Sequence, residues 1–232
     1  MPRLEEAKSR ILTTHTGSLP RPDSLSALLF ARMTKQPYDE QALKTQTTEA
    51  VAATVRTQME MGIDIVSDGE QSKTSFQLYA TERVGGIEPI TPPLGEYRTR
   101  ENMAFPKFYV GGSHSGSQRS RWACTGPLTY ANLEPLKRDL ENLKAALKGV
   151  DPVDVFMPSV SPSSCAGTME NRYYKSDEEH VEAVAEIMRV EYETIVNAGF
   201  CVQIDDPRLA MHYMLAPDES VEDARKWAAR RI

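Results

Sequence analysis

Glu191 to Leu209 reads EYETIVNAGFCVQIDDPRL, and its reading decides the fold. A helical pattern stops at Gly199, a short apolar run follows over Phe200, Cys201, Val202, Gln203 and Ile204, and that run ends on Asp205-Asp206-Pro207. A helix here feeds a buried strand that delivers acid at its C-terminal end. The same plan occurs earlier, where a helix runs into Met61-Gly-Ile-Asp-Ile-Val-Ser-Asp68-Gly-Glu70. In both places an aspartate lies six residues after the glycine, so Gly62 to Asp68 matches Gly199 to Asp205. Two αβ units of one plan predict an α/β architecture whose strand ends gather acidic groups.

The loops outside this repeat carry the candidate chemistry. Arg10 to Thr14 reads as a short strand running into His15-Thr-Gly-Ser-Leu-Pro-Arg-Pro22, where Gly-Ser and two prolines force the backbone to turn. Gly17 has no side chain to keep a ligand from the backbone N–H groups, although a plain strand-to-helix turn fits these residues equally. Asp68 and Glu70 flank a glycine, so both carboxylates can approach one ligand, or both can sit in a solvated turn.

Helices are predicted over 24–32 and 39–61, the second with Asp39 as N-cap and Gly62 as stop. Between Gly85 and Gly116 the pattern breaks into short β-like pieces (86–90, 96–99, 107–110), which predicts an inserted hairpin or lid at about 85–118. A strand at 121–124 then opens into a loop, Thr125-Gly-Pro-Leu-Thr129. A helix over 134–148 leads to an apolar run at 153–157 and a polar, irregular segment from Pro158 to Gly167. Ser176 and Glu179 form a capping box ahead of an apolar stripe made of Val181, Val184, Ala185, Met188, Tyr192, Ile195 and Val196. Asp218 is expected to start the last helix.

These readings give five strands, near residues 11, 63, 121, 153 and 200, expected parallel in one curved sheet with helices outside. A closed (β/α)8 barrel needs eight. The alternatives are an open doubly wound sheet or a barrel cut off after its fifth unit, in one partial barrel domain spanning 1–232.

Composition narrows the function classes. Net charge is -6 and Lys and Arg are scattered, which argues against a nucleic-acid footprint. The N-terminus has no secretory apolar stretch and no window is long enough for a membrane span, so a cytoplasmic protein without membrane partners is expected. Cys124, Cys165 and Cys201 form no CxxC pair and fit neither a disulfide framework nor a self-contained zinc site.

His15-Thr-Gly-Ser-Leu-Pro-Arg-Pro, Ser67-Asp-Gly-Glu70, Thr125-Gly-Pro-Leu-Thr and Asn197-Ala-Gly-Phe-Cys-Val-Gln-Ile-Asp-Asp-Pro together resemble the cobalamin-independent methionine synthase family, in its C-terminal catalytic domain. The resemblance covers about residues 10–230. It implies a TIM barrel of the methionine synthase and uroporphyrinogen decarboxylase type, here about its first five βα units. It further implies methyl transfer from a methyl-folate to a thiol such as homocysteine, with zinc as the family's cofactor activating the thiol. By motif, the amino-acid substrate falls to His15, Thr16, Gly17, Ser18, Glu70 and Asp205, with Asp205 also the candidate catalytic acid.

The sequence departs from the family where its Asp-Glu-Pro becomes Asp205-Asp206-Pro207 and where the first loop begins with His15. The family's zinc ligands, in a His-x-Cys segment and a distant second cysteine, fall beyond Ile232. His15, His114, His180 and His212 do not replace them, His180 being expected on the solvent side of its helix, and no metal ligand is assigned. The chain is therefore expected to bind zinc weakly and to catalyse no methyl transfer alone. The alternatives are a non-catalytic remnant that binds a small amino acid, or a partner through an open strand edge, and a uroporphyrinogen-decarboxylase-like enzyme without metal.

Overall fold

A computed structural model describes residues 2–91, 98–109 and 121–231. After a 3-10 turn (Pro2–Lys8), the elements run α1 (Asp23–Met33), α2 (Glu40–Glu60), β1 (Ile65–Val66), α3 (Phe76–Thr81), β2 (Val84–Ile90), α4 (Arg100–Ala104) and α5 (Pro106–Tyr109). They continue with β3 (Arg121–Tyr130), α6 (Glu134–Ala146), β4 (Asp154–Val160), α7 (Pro162–Ala166), β5 (Met169–Asn171), α8 (Asp177–Asn197), β6 (Cys201–Asp205), α9 (Pro207–Leu215) and α10 (Val221–Ala229). The strands form two sheets, ordered β1-β4-β6 and β2-β3-β5. No helix among the described residues is long and apolar enough to cross a membrane.

The chain divides into two compact units, each assembled from three segments. The first comprises Met1–Arg83, Ala131–Ser159 and Arg189–Ile204. Its longest helix, α2, starts where Asp39 accepts the Ala42 N–H at 2.9 Å and stops before Gly62, whose φ of +76° ends the helix at low cost. One face of α2 carries Val55, which packs with Val66 of β1, Leu136, Leu140 and Leu143 of α6, Val155 and Met157 of β4, and Ile195 of α8. A second cluster, Leu25, Leu29, Leu43 and Ala50, fastens α1 to α2. β1 pairs in parallel with β4, Ile65 opposite Asp154.

The expected first strand is reduced to one bridge, Thr14 to Ile65. The Asp64 and Ile65 N–H groups both donate to the Thr13 carbonyl, and the Asp64 carboxylate adds to this tether. That carboxylate accepts from the Thr13 N–H and hydroxyl and from both terminal nitrogens of Arg10.

The second unit comprises Val84–Tyr130, Val160–Met188 and Asp205–Ile232. Here β3 runs antiparallel to β2 and parallel to β5, Trp122 lying opposite Met169. The strand near 121 therefore does not join the sheet of β1, β4 and β6, as the sequence pattern had suggested, because β2 and β5 occupy its two edges. Nor does it open into a loop at Thr125, since pairing with β2 carries it on to Tyr130. A register shift between Gly85 and Ile87 makes room for this, with Gly86 at a φ of +86° against the Pro127 carbonyl, where a Cβ does not fit.

Several local expectations change as well. Residues 106–109 are helical rather than β-like, and part of the expected insert, with His114, lies outside the described residues. The polar stretch after Met157 is ordered: β4 continues to Val160, and Ser161 then caps α7 by accepting the Ser164 N–H at 3.0 Å. Pro162 at the first helical position suits that start. In the box before α8, Ser176 accepts the Glu179 N–H, and the Glu179 carboxylate accepts from the Lys175 N–H, one residue before the cap.

Val196, placed on the apolar stripe of α8 by its spacing, is exposed, whereas Ile195 beside it is buried. His180 is also buried rather than solvent-facing and stacks on Tyr174, and desolvation lowers its pKa. The last helix begins at Val221, capped by Ser220, and is preceded by α9, which opens on Pro207. His212 of α9 stacks on Trp227 of α10 at 3.6 Å and bonds Glu219 at 2.9 Å, so a ring stack and a polar contact close this helical pair.

Candidate functional site

In the first unit, the loop after Thr14 and the turn after β1 are bound to each other. Gln58 of α2 reaches both polar backbone groups of Ser67: its amide nitrogen donates to the Ser67 carbonyl at 2.8 Å and its oxygen accepts the Ser67 N–H at 3.1 Å. These contacts stop β1 after two residues and start the turn. Gly69 follows at a φ of +61°, with Thr54 and Leu19 closing the space where a Cβ would sit. Its carbonyl accepts the Leu19 N–H at 3.1 Å. The Gln71 side-chain amide bonds the carbonyls of Leu19 and Gly69, which stitches the two segments together.

The expected substrate residues of this unit come together on that frame. The Ser18 hydroxyl donates to Glu70 Oε2 at 2.5 Å. Glu70 is 2 % exposed, while Ser18 lies at the surface. Gly17 has a φ of +87° and open space where a Cβ would sit. Among the described residues, the N–H groups of Gly17 and Ser18 make no hydrogen bond to the protein, so two adjacent donors lie next to a carboxylate-bound hydroxyl. His15 is half-buried and its Nε2 is a buried atom without a hydrogen-bond partner, and Thr16 is exposed.

Asp205 belongs to the second unit, where its carbonyl accepts the Ser161 N–H at 3.0 Å. The neighbouring Asp206, which has no cap bond to α9, accepts the Ser164 hydroxyl at 2.8 Å instead. The shorter acid in place of a glutamate is thus used within its own unit.

A buried polar network around the Asp68 turn was not found from sequence. Asp68 is 1 % exposed, and desolvation raises its pKa against the opposing charge of Lys73. Lys73, itself buried, donates to the Pro158 carbonyl of β4 at 2.6 Å. Arg83 and Glu191 form a buried ion pair at 2.7 Å, with the Ser159 hydroxyl on the other carboxylate oxygen at 2.6 Å. The Arg83 guanidinium lies over the Tyr79 ring, and the Tyr79 hydroxyl donates to Asp139 through a short hydrogen bond. Burial pushes the Asp139 carboxyl up to about 6. The available signal was spacing: Asp139 interrupts the stripe of Leu136, Leu140 and Leu143, and Glu191 interrupts that of Val184, Met188 and Ile195.

With this geometry in place, the chain can be set beside known proteins. No protein-family model matches it. It is 25 % identical over 202 residues to a methionine synthase of Sulfolobus acidocaldarius, covering 85 % of this chain and 52 % of that protein. A methionine synthase of Thermococcus kodakarensis is 26 % identical over 208 residues, covering 89 % and 54 %. Among solved structures, a B12-independent methionine synthase from Shewanella sp. W3-18-1, in complex with selenomethionine, superposes with a TM-score of 0.64 at 22 % identity, covering 89 % of this chain and 54 % of that one. The chain is methionine synthase-like.

A putative vitamin-B12 independent methionine synthase from Listeria monocytogenes superposes with a TM-score of 0.57 at 15 % identity, covering 91 % and 64 %. The fold is therefore the α/β fold of B12-independent methionine synthases. The chain spans about half the length of the curated relatives it matches.

Proposed function

We propose that this chain carries the amino-acid-binding part of a methyltransferase of the cobalamin-independent methionine synthase type, acting on a thiol such as homocysteine with a methyl-folate as donor. The carrying observation is the pairing on the first loop: the adjacent unbonded N–H groups of Gly17 and Ser18 beside Ser18 Oγ on the Glu70 carboxylate. An amino acid offers the complementary set, a carboxylate for N–H donors and an ammonium for an acid. The Shewanella methionine synthase was solved with selenomethionine, an amino acid of that kind. His15 and Thr16 line the same loop, and Asp205 is proposed as the second carboxylate and the catalytic acid.

In this reading the chain contributes part of a TIM barrel of the methionine synthase type, and its location is cytoplasmic. The donor set does not fit the family's zinc. Among the described residues no three His, Cys, Asp or Glu side chains stand together to hold a metal, and Cys165 is fully buried.

Isothermal titration with L-homocysteine and with L-methionine tests the site. Binding is expected, and both Ser18→Ala and Glu70→Gln are expected to weaken it by about tenfold. Wild-type protein that binds neither amino acid, or variants that bind both unchanged, would overturn the assignment.

A further inference from the structure

Glu70 is one of two non-glycine residues in the chain's described backbone with a positive φ, at 56°. An L-residue with a long side chain reaches this left-handed region only at a cost, so the surroundings must hold it there. At Glu70 they do so at every polar group. Its N–H donates to Asp68 Oδ1 at 2.9 Å. Its carbonyl accepts from Arg21 Nη2 at 2.5 Å and from the Lys73 N–H at 3.1 Å. Its carboxylate accepts the Ser18 hydroxyl.

Arg21 does more than touch Glu70. Its guanidinium also donates to the Gln71 carbonyl at 3.4 Å and to that of Lys73 at 2.9 Å, so one planar fork gathers three carbonyls of the turn. Arg21 sits on the same loop as Gly17 and Ser18, which makes it the link between the N–H donors and the acid. Asp68 is itself buried, and the charge of the buried Lys73 opposes the desolvation of its carboxyl. The hydrogen bonds of Asp68 and Arg21 to Glu70 go to its backbone.

We propose that Asp68 and Arg21 are positioning residues that preset the Glu70 carboxylate for the ammonium group of an amino acid. This rests on the reading of Glu70 as an amine-binding group. The backbone conformation of Glu70 follows from these contacts rather than from its own preference, and a change at Asp68 or Arg21 acts on ligand only through Glu70.

The test combines L-methionine titration with hydrogen exchange at the Glu70 amide in the full chain. Asp68→Ala, which removes the acceptor, is expected to speed that exchange and to weaken L-methionine, each by about tenfold, while Asp68→Asn, which keeps an acceptor, restores most of both. Arg21→Lys, which loses the fork, is expected to weaken L-methionine similarly, and it carries the test if Asp68→Ala does not fold. In a Glu70→Gln background neither Asp68→Ala nor Arg21→Lys should weaken L-methionine further. Equal losses in both backgrounds, or an unchanged Glu70 amide in the folded Asp68 and Arg21 variants, would overturn the proposal. If wild-type protein binds neither L-methionine nor L-homocysteine, the functional reading fails, and the amide exchange alone still decides whether Asp68 and Arg21 fix Glu70.

Discussion

Replacing Asp139 with asparagine should remove a pH dependence that this one carboxyl gives the fold. Asp139 is 3 % exposed, on α6 between Leu136 and Leu140, and accepts the Tyr79 hydroxyl. Burial is the largest influence on it and disfavours the charged form, outweighing the Tyr79 hydrogen bond and the Arg83 charge, so its pKa rises from 3.8 to about 6. Below about pH 4 the carboxyl is protonated in both folded and unfolded chains. Between there and about 6 the folded chain holds its proton while the unfolded chain has lost it, so stability falls as pH rises through this window and levels off above it. At about 1.4 kcal/mol per unit, the shift corresponds to about 3 kcal/mol, as an order of magnitude. The asparagine side chain keeps an acceptor for Tyr79 and does not titrate. Urea unfolding of both proteins at several pH values from 4 to 7 should show wild type losing stability relative to Asp139→Asn by that amount. Two stability curves that stay parallel across the window would refute the reasoning.

Two further substitutions test the surroundings of the site. Glu191→Ala removes the carboxylate facing Arg83 in an ion pair whose side chains are each 3 % exposed, and is expected to cost about 3–5 kcal/mol in urea unfolding. The apolar double replacement Arg83→Met with Glu191→Leu should recover most of that loss, and a single variant within about 1 kcal/mol of wild type would contradict the buried pair. Gly69→Ala places a Cβ 2.6 Å from Thr54 Cγ2 and 3.2 Å from Leu19 Cβ at a positive φ, with an expected cost of about 2 kcal/mol or more. Thr54→Ser, which deletes that methyl, should return part of it, and no rescue would place the whole cost in the backbone.

What was legible in the sequence followed from signals that act locally. Asp39 and Gly62 bound α2 because a cap and a left-handed glycine work within a few residues of the helix they end. The convergence of Ser18 with Glu70 came through a motif resemblance, not through any periodicity. The strand near 121 was misplaced because alternation reveals that a segment is extended but not which edge it pairs with; β2, drawn from the expected insert, took that edge. The first strand is reduced to a bridge, with the Asp64 carboxylate, on a residue that reads as a polar interruption, adding side-chain bonds to Thr13 beside the two backbone bonds to the Thr13 carbonyl.

The buried charges were missed for a related reason. An acid at a helical stripe position reads as an exception to the apolar face, and a stripe is identified by tolerating exceptions. Yet the acids at Asp139 and Glu191 have partners far along the chain, Tyr79 and Arg83, the first on the short helix α3 and the second just after its end. Those partners lie four positions apart and are in contact, the Arg83 guanidinium over the Tyr79 ring, and each meets an acid from a different long helix. Polar residues that interrupt the stripes of two helices, set against an aromatic on a third and a cation just past its end, therefore form a pattern that spacing can expose. The physical reason is that neither acid can be buried without its partner, so the interruptions and the spacing arise together.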